Sequence, residues 1–191
     1  MEVPPDHPLF LLLADIAARH DVPIDLHMEA VIEDTKLSAE IRDKGSFNPS
    51  KVSGNIAGLE RLLVHNPAAK IIWAHAGGDS AGQRSPALVR RLLAEHPNLY
   101  VSFRIFLTSK FPVIIMGKGI NPEWLKVIME FPDRFFIGSD GFYSDGSGKF
   151  KIPPPDYRPN VALIRNLPEE VGRKVAYENV QRIFKLDLVK P

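Results

Sequence analysis

Two kinds of hydrophobic pattern alternate along the chain. In one kind, apolar residues recur every three or four positions, which is the period of an amphipathic helix. In the other, consecutive positions are mostly apolar, branched or aromatic, which is typical of a strand buried on both faces of a parallel sheet. The first kind predicts helices over residues 8–20, 55–65, 86–96, 122–131, 161–165 and 169–184, and the second predicts strands over residues 22–28, 70–75, 98–103 and 134–139.

The order of these elements indicates an α/β fold. Each predicted strand is followed by a helix, and this alternation is typical of a parallel sheet with helices packed against it. The sequence contains four such βα units, whereas a complete (β/α)8 TIM barrel has eight units in about 250 residues. We therefore expect a single domain over residues 1–191 that forms a partial TIM barrel, with polar loops over residues 29–51 and 141–159.

Composition excludes several classes of function. The chain has 24 basic and 23 acidic residues and a net charge of +1, so we expect no nucleic-acid partner. No apolar run approaches the roughly 18–20 residues of a membrane span. The N-terminus lacks the pattern of a signal peptide, and we expect a cytoplasmic protein. The absence of cysteine excludes disulfides, thiolate metal sites and cysteine nucleophiles.

Three polar residues lie at the ends of predicted strands. His27 lies at the end of the first strand, His75 ends the second, and Asp140 follows the fourth. Ligands of parallel α/β sheets bind at the carboxyl ends of the strands, so these side chains are expected to face the functional side. Imidazole nitrogen and carboxylate oxygen suit zinc, iron or manganese in an open catalytic site. The alternative is that each histidine is a structural residue ending an apolar strand.

The other histidines have simpler explanations. His20, His65 and His96 lie at the ends of predicted helices, where a protonated imidazole complements the helix dipole. His7 precedes the start of a helix. The three strand-end residues have no such explanation, and their shared placement favours a functional site.

Further polar residues flank this edge of the predicted sheet. Asp25, His27 and Glu29 alternate along the first strand and share one face. Asp25 or Glu29 could therefore hold the His27 ring in one tautomer; alternatively, Glu29 has already left the strand and is solvated. Arg104 follows the third strand and could bind a substrate carboxylate through two hydrogen bonds. The alternative for Arg104 is an ion pair with a carboxylate of the barrel.

Five segments carry a resemblance to a known family. The segments VPIDLHMEA, KIIWAHAGG, NLYVSF, FPDRFFIGSDGFY and AYENVQRIF resemble the amidohydrolase-related metal-dependent hydrolases of the amidohydrolase superfamily, a group that includes decarboxylases. The resemblance implies that the four strands are strands five to eight of the barrel. It implies that His27 and Asp140 bind a divalent metal ion, with zinc preferred, and that Asp140 also shuttles a proton. It further implies that His75 binds a second metal, or orients and deprotonates the metal-bound water.

One feature of the family is missing from the sequence. Family members open with a His-x-His pair on the first strand, and this sequence contains no His-x-His. We therefore expect the C-terminal half of an amidohydrolase-like barrel, inactive by itself. The leading hypothesis is a hydrolase that attacks a small organic substrate with a metal-activated water, and metal-dependent decarboxylation is the alternative chemistry. The other hypothesis is a non-catalytic half-barrel, either a relic or an assembly module. Because a half-barrel leaves sheet edges unpaired, we expect self-association or pairing with a missing N-terminal half.

Overall fold

The computed structural model describes residues 3–36, 50–78, 81–105, 107, 109–138, 140 and 156–187. In chain order its elements are α1 (Pro8–His20), β1 (Ile24–Leu26), β2 (Thr35–Lys36), β3 (Lys51–Val52), α2 (Ile56–His65), β4 (Ile71–Ala76), α3 (Pro86–Glu95), β5 (Leu99–Phe103), β6 (Ile114–Ile115), β7 (Gly119–Ile120), α4 (Pro122–Glu130), β8 (Phe135–Ile137), α5 (Arg158–Asn166), α6 (Glu169–Arg173), a π-helical turn (Lys174–Glu178) and α7 (Asn179–Phe184).

A four-stranded parallel sheet forms the centre of the fold. Strands β1, β4, β5 and β8 pair in that order, which is also their order along the chain. Ile24 lies opposite Ile71, and Val101 lies opposite Phe135. Parallel neighbours need crossover connections, and α2, α3 and α4 supply them. The predicted α/β fold with the strand arrangement of a partial TIM barrel is thus confirmed, with β1 and β8 at the edges of this sheet.

Three of the helices begin where the sequence provides a capping side chain and a proline. His7, Ser85 and Asn121 precede α1, α3 and α4, and each side chain accepts a hydrogen bond from a backbone N–H of the first turn. A proline occupies the first turn of each of these helices, where its missing N–H costs nothing. Helix α1 covers the predicted residues, whereas α5 begins three residues before its predicted start. None of the described helices is both long enough and apolar enough to cross a bilayer.

The closing helix is interrupted, contrary to the prediction of one helix over residues 169–184. A π-helical turn separates α6 from α7. Directly after this turn, the Asn179 side chain donates hydrogen bonds to the carbonyls of Pro132 and Phe135, each at 2.8 Å. These tertiary contacts fix the direction in which Asn179 faces, and the 3.6-residue hydrophobic period carries no information about them.

Two short hairpins are absent from the sequence prediction. Strand β2 pairs antiparallel with β3, and β6 pairs antiparallel with β7. The first hairpin lies partly within the stretch that was expected to be a polar loop, and residues 37–49 of that stretch fall outside the described residues. Two-residue strands are too short to produce a period-2 pattern, which explains why sequence reasoning missed them. Most of the second expected loop, residues 141–155, also falls outside the described part.

The two faces of the sheet are covered differently. On one face, Trp73, Phe103 and Phe135 pack with apolar residues of α2, α3 and α4 in one large buried cluster. On the other face, Ile72, Tyr100 and Phe136 form a smaller buried cluster with Ile183 of α7. Strand residues alternate between the two clusters as the pleat requires. Helix α7 therefore covers part of the sheet face that looks towards the interior of a barrel.

Helix α1 carries an exposed apolar face next to the sheet edge. Leu9, Leu12, Leu13 and Ile16 lie on one side of the helix and are 38–68% exposed. The strand that follows α1 is the edge strand β1. An apolar face beside a strand edge with which no other described strand pairs is a surface that favours association.

We expect copies of this chain to associate through these edges in solution, because β1 of one copy can pair with β8 of another. Size-exclusion chromatography with light scattering should give a mass above the 21.4 kDa of the monomer. Leu12→Glu places a charge in the exposed face of α1 and should shift the population towards the monomer. Met129→Glu changes an exposed apolar residue of α4 and serves as the control. A stable parent monomer with cooperative unfolding would contradict the expectation.

Asp21 links the end of α1 to the start of β4 and to the end of α7. It follows α1 in a left-handed conformation, with φ 51° and ψ 45°. Its carboxylate pairs with the ammonium groups of Lys185 and Lys70, the latter at 2.5 Å. Hydrogen bonds from Lys185 and Lys70 lower the pKa of Asp21 to about 2.

This pair of contacts gives a pH-dependent contribution to stability. The pKa of Asp21 is lower in the folded protein than the roughly 3.9 of an unfolded chain, so its contribution is complete above the unfolded value and is lost as pH falls through about 2. We expect Asp21→Asn, which tolerates the left-handed conformation, to lower the free energy of unfolding at pH 7 and to matter progressively less below pH 4. Denaturant unfolding of both proteins across this range checks the expectation, and a pH-independent difference would contradict it.

Candidate metal centre

His27 lies immediately after β1. The ladder between β1 and β4 ends at the pair of Leu26 and Trp73, so His27 stands just beyond the last paired residue. Its Nε2 atom is 3.7 Å from Oδ2 of Asp25. Its ring meets the ring of His75 edge to face, with the centroids 4.3 Å apart and the planes at 82°. The first predicted ligand is therefore in contact with the second histidine.

A bulge in β4 places His75 in the site. Regular alternation would put His75 on the same face as Trp73, and Trp73 is fully buried. The register with β5 shifts between Trp73 and Ala76, and His75 has a φ of 71°. Such a conformation costs a residue other than glycine about 1–2 kcal/mol. Bulges redirect side chains beside active sites, and here the bulge leaves the His75 side chain 21% exposed instead of buried in the core.

Asp140 follows β8 and connects the site to β5. Its side chain is 16% exposed, and its Oδ1 atom is 3.5 Å from Nε2 of His75. Its other oxygen, Oδ2, forms an ion pair with Nη1 of Arg104. The two carboxylate oxygens are therefore divided between an imidazole and a guanidinium.

Gly77 allows the chain to turn away directly after His75 and Ala76. Its φ is 85°, in the region that favours glycine. A Cβ atom at this position would lie 2.6 Å from Cγ2 of Val113 and 3.3 Å from the carbonyl oxygen of Arg104. Glycine is required here by both the backbone conformation and the close packing.

The three strand-end residues converge as a possible set of metal ligands. One ligand atom each from His27, His75 and Asp140 lies within 4.8 Å of the others. A tetrahedral zinc ion with ligands at about 2.0–2.1 Å separates its ligand atoms by roughly 3.4 Å, close to the 3.5 Å between His75 and Asp140. Two imidazoles and a carboxylate are also a usual donor set for a catalytic divalent ion. These three side chains would fit such an ion if their ligand atoms moved slightly closer together.

The electrostatics of the site keep His75 neutral. Burial lowers the pKa of His75 to about 4, and the charges of His27, Arg104 and Arg84 act in the same direction. Asp140 opposes this shift. A neutral imidazole retains a lone pair at neutral pH, and this lone pair is what a metal ligand or a proton acceptor needs. Partial burial also raises the pKa of Asp25, an effect that His27 opposes.

The three secondary candidates, Asp25, Glu29 and Arg104, have different surroundings in the structure. Asp25 lies near His27, at 3.7 Å between the closest charged atoms. Glu29 has left the strand, and its carboxylate accepts a hydrogen bond from the backbone N–H of Ala81 at 3.4 Å. Arg104 pairs with Asp140, which was the alternative considered for it from sequence. Of the three, Asp25 and Arg104 lie against the candidate ligands.

A cavity of about 460 Å³ opens beside His27. Its wall is largely apolar and includes Met28, Val31 and Val52, together with the carboxylate-bearing Glu29. Cavities of roughly 300–1,000 Å³ with mostly apolar walls are typical of small-molecule sites. The cavity is therefore of suitable size for a small organic molecule that reaches His27.

A second group of potential ligands has a different character. Glu60, Glu95 and His96 also bring one ligand atom each within 4.8 Å of one another, on the helical layer. There the guanidinium of Arg91 donates hydrogen bonds to Glu60 and Glu95, at 2.5 and 2.7 Å. The guanidinium of Arg91 therefore already lies between the two carboxylates and offsets part of their charge.

One residue beneath the candidate metal centre escaped sequence reasoning. Arg84 is only 2% exposed, although arginine is rarely buried to this extent. Its guanidinium lies over the ring of Trp73, 4.3 Å from the centroid. The sequence offers no clear signal for it, because a lone arginine before a helix is usually solvated.

Comparison with protein families gives a match over almost the whole chain. The model of a family described as amidohydrolase matches residues 2–186. No curated protein sequence matches the chain.

Several solved structures share the fold. An uncharacterised TIM-barrel protein from Bordetella bronchiseptica has 14% identity and a TM-score of 0.58 over 96% of this chain and 52% of its own. A dihydroorotase from Campylobacter jejuni has 16% identity and a TM-score of 0.52, over 95% of this chain and 52% of its own. A dihydroxybenzoic acid decarboxylase from Polaromonas sp. JS666, with bound manganese and the inhibitor 2-nitroresorcinol, has 16% identity and a TM-score of 0.53, over 99% and 57%. The chain thus spans about half the length of these structures.

Proposed function

We propose that this chain, which belongs to the amidohydrolase family, contributes His27, His75 and Asp140 to the active site of a metal-dependent hydrolase that acts on a small organic substrate. The observation that carries the proposal is the convergence of these three side chains, with one ligand atom of each within 4.8 Å of the others. They come from the carboxyl ends of three strands of one parallel sheet, the edge at which barrel enzymes place their chemistry.

His27 and Asp140 bind the divalent ion in this proposal, with zinc as the preferred metal. The preference for zinc rests on the mixed nitrogen and oxygen donors, which also accept manganese or iron. When bound, the ion acts as a Lewis acid that polarises the substrate and makes a water molecule nucleophilic near neutral pH. Asp25 lies where it can restrain the tautomer of His27.

His75 and Asp140 handle the proton. His75 is neutral because its pKa is about 4, so one ring nitrogen can accept a proton from the attacking water. Asp140 raises the pKa of His75 and therefore stabilises the protonated ring. The 3.5 Å between Nε2 of His75 and Oδ1 of Asp140 provides the route by which the carboxylate can take this proton and pass it on.

Arg104 orients Asp140 and is the proposed contact for an anionic substrate group. Because Arg104 holds Oδ2 of Asp140, the Oδ1 atom faces His75. A guanidinium carries five N–H donors, so the same side chain can bind a substrate carboxylate beside Asp140. Glu29 forms part of the wall of the adjacent cavity, and its carboxylate accepts a hydrogen bond from the backbone N–H of Ala81, shortly before α3.

Metal-dependent decarboxylation is the second candidate. It is favoured by the placement of Arg104, since a cation at the mouth of the site suits a substrate that carries a carboxylate. The structural likeness to the decarboxylase with bound manganese supports the same candidate. Both reactions use the same ion and the same proton-handling carboxylate.

The experiment that tests the proposal measures metal binding first and chemistry second. The purified chain is titrated with Zn²⁺ and with Mn²⁺ by calorimetry, and we expect one ion per chain, held weakly because a His-x-His pair is missing. A protein completed with an N-terminal half-barrel that supplies a His-x-His pair is then loaded with the metal and offered small amides and lactones on one side, and aromatic carboxylic acids on the other. Product analysis separates hydrolysis from release of CO2. A chain that binds neither ion would support the non-catalytic half-barrel instead.

A further inference from the structure

Arg84 joins the two segments that carry the candidate histidines. Its Nη1 donates a hydrogen bond to the carbonyl of Ala74, and its Nη2 donates one to the carbonyl of Met28. Ala74 directly precedes His75, and Met28 directly follows His27. One planar guanidinium therefore bridges the backbone next to both histidines.

Strand pairing is interrupted beside both histidines. The ladder between β1 and β4 ends at Leu26 and Trp73, before either histidine is reached. The register between β4 and β5 is broken between Trp73 and Ala76, around His75. Pairing with β5 resumes at Ala76, so the guanidinium of Arg84 adds a link between the two histidine segments beyond the last pair of the β1–β4 ladder.

The guanidinium of Arg84 packs against the ring of Trp73. The Arg84 guanidinium lies 4.3 Å from the centroid of the Trp73 ring, in a cation–π arrangement. The indole N–H of Trp73 donates to the same Met28 carbonyl, at 2.8 Å. Two donors from different elements therefore fix the carbonyl next to His27, and the stacking fixes the plane of the guanidinium.

One feature of the position, the adjacent helix N-terminus, is unfavourable for a buried cation. Arg84 directly precedes Ser85, the cap of α3, and the N-terminus of a helix carries partial positive charge. Burying a charge is costly unless it is well hydrogen-bonded. A buried arginine at the positive end of a helix is more than core packing requires, since an apolar residue of similar size would avoid both costs.

We propose that Arg84 is a positioning residue that sets the separation between His27 and His75, and thereby tunes the affinity of the centre for a divalent ion. This inference deepens the proposed function and rests on it for the metal, but the contact between the two rings exists independently of any ion. Arginine suits the task because its rigid fork reaches two carbonyls at once, whereas the single ammonium of lysine lacks this geometry.

The test compares Arg84→Met with Arg90→Met in the full chain. Arg90 lies on α3 and is exposed, with its guanidinium paired to Glu130, so its loss controls for removal of an arginine. The first readout is the nuclear Overhauser effect between the ring protons of His27 and His75 without metal. We expect it to be present in the parent and in Arg90→Met and lost in Arg84→Met. The second readout is Zn²⁺ affinity, expected to fall about 10–100-fold in Arg84→Met, the usual cost of losing a group that supports a metal ligand.

The readouts separate the two proposals. If the parent binds no Zn²⁺, the proposed function fails, yet the ring contact still tests the role of Arg84. A persistent ring contact in a folded Arg84→Met protein overturns the positioning role, even if the protein is less stable. Should Arg84→Met fail to fold, Arg84→Lys keeps the charge and the aliphatic stem. Lysine is expected to lose the ring contact, and parent-like contact and affinity in that variant overturn the proposal.

Discussion

Alanine in place of either His27 or Asp140 is expected to weaken Zn²⁺ binding by more than about 100-fold, because loss of a direct ligand should exceed the roughly 10–100-fold cost of losing a supporting group. Asp140→Ala has a second effect in the same direction. It removes the carboxylate that pairs with Arg104, which leaves a guanidinium facing the position that the ion would occupy. Calorimetric titration of the refolded or native variants, checked for folding by circular dichroism, provides the measurement.

His75→Ala should separate the two roles assigned to the histidines. If His75 acts mainly on the water, its loss reduces turnover more than affinity, and the affinity change stays closer to tenfold than to that of His27→Ala. His20→Ala, at the exposed C-terminal end of α1, is the matched control and should bind as the parent does. Full occupancy with normal turnover in His27→Ala would refute its role as a ligand.

Gly77→Ala is expected to destabilise the fold by about 2–4 kcal/mol, as the sum of a left-handed backbone penalty and an overpacked contact. The new Cβ would meet Cγ2 of Val113 at 2.6 Å. Val113 is fully buried and β-branched, so it cannot turn aside without disturbing its neighbours. Chemical denaturation at neutral pH measures the change in the free energy of unfolding.

Gly117→Ala provides the control for this substitution. Gly117 also has a left-handed conformation, with φ 71°, but a Cβ there meets nothing within 4 Å. It should cost only the backbone part, about 1–2 kcal/mol, so the difference between the two variants reports the Val113 contact. Val113→Ala should recover part of the loss when combined with Gly77→Ala. Equal costs at both glycines would show that the contact relaxes freely.

The fold was predictable because its elements carry strong local signals. Helix α1 has leucine and alanine at helical spacing between a proline start and a histidine end, and it forms as predicted. The apolar run of β4 is buried on both faces, as its composition indicates. The order of such segments, strand then helix, leaves a parallel sheet as the simple arrangement. Because these features are local in sequence, they can be predicted without knowledge of the rest of the chain.

The details of the candidate site depend on contacts that no local pattern records. Strict alternation would bury His75 beside Trp73, and only the bulge, which arises from pairing with β5, redirects it. The role of Arg84 arises from carbonyls of residues 74 and 28, distant in the sequence. That His27, His75 and Asp140 lie together could be predicted from the sequence, whereas the bulge and the Arg84 hydrogen bonds around them could not.

The π-helical turn determines where the closing segment tolerates a change in length. Each residue of an α-helix advances the direction of its side chain by about 100°. A π-helical turn holds about one residue more than an α-helical turn, so deleting one residue from Lys174–Glu178 would leave an ordinary helix whose later residues keep nearly the same directions. Asn179 would then still face the two carbonyls it bridges, and Ile183 would stay on the side of the aromatic residues beneath it. A deletion in the α-helical stretch before this turn would instead rotate α7 by about 100° and detach it from the sheet, so the π-helical turn is the one place in this segment where a residue can be removed at little cost.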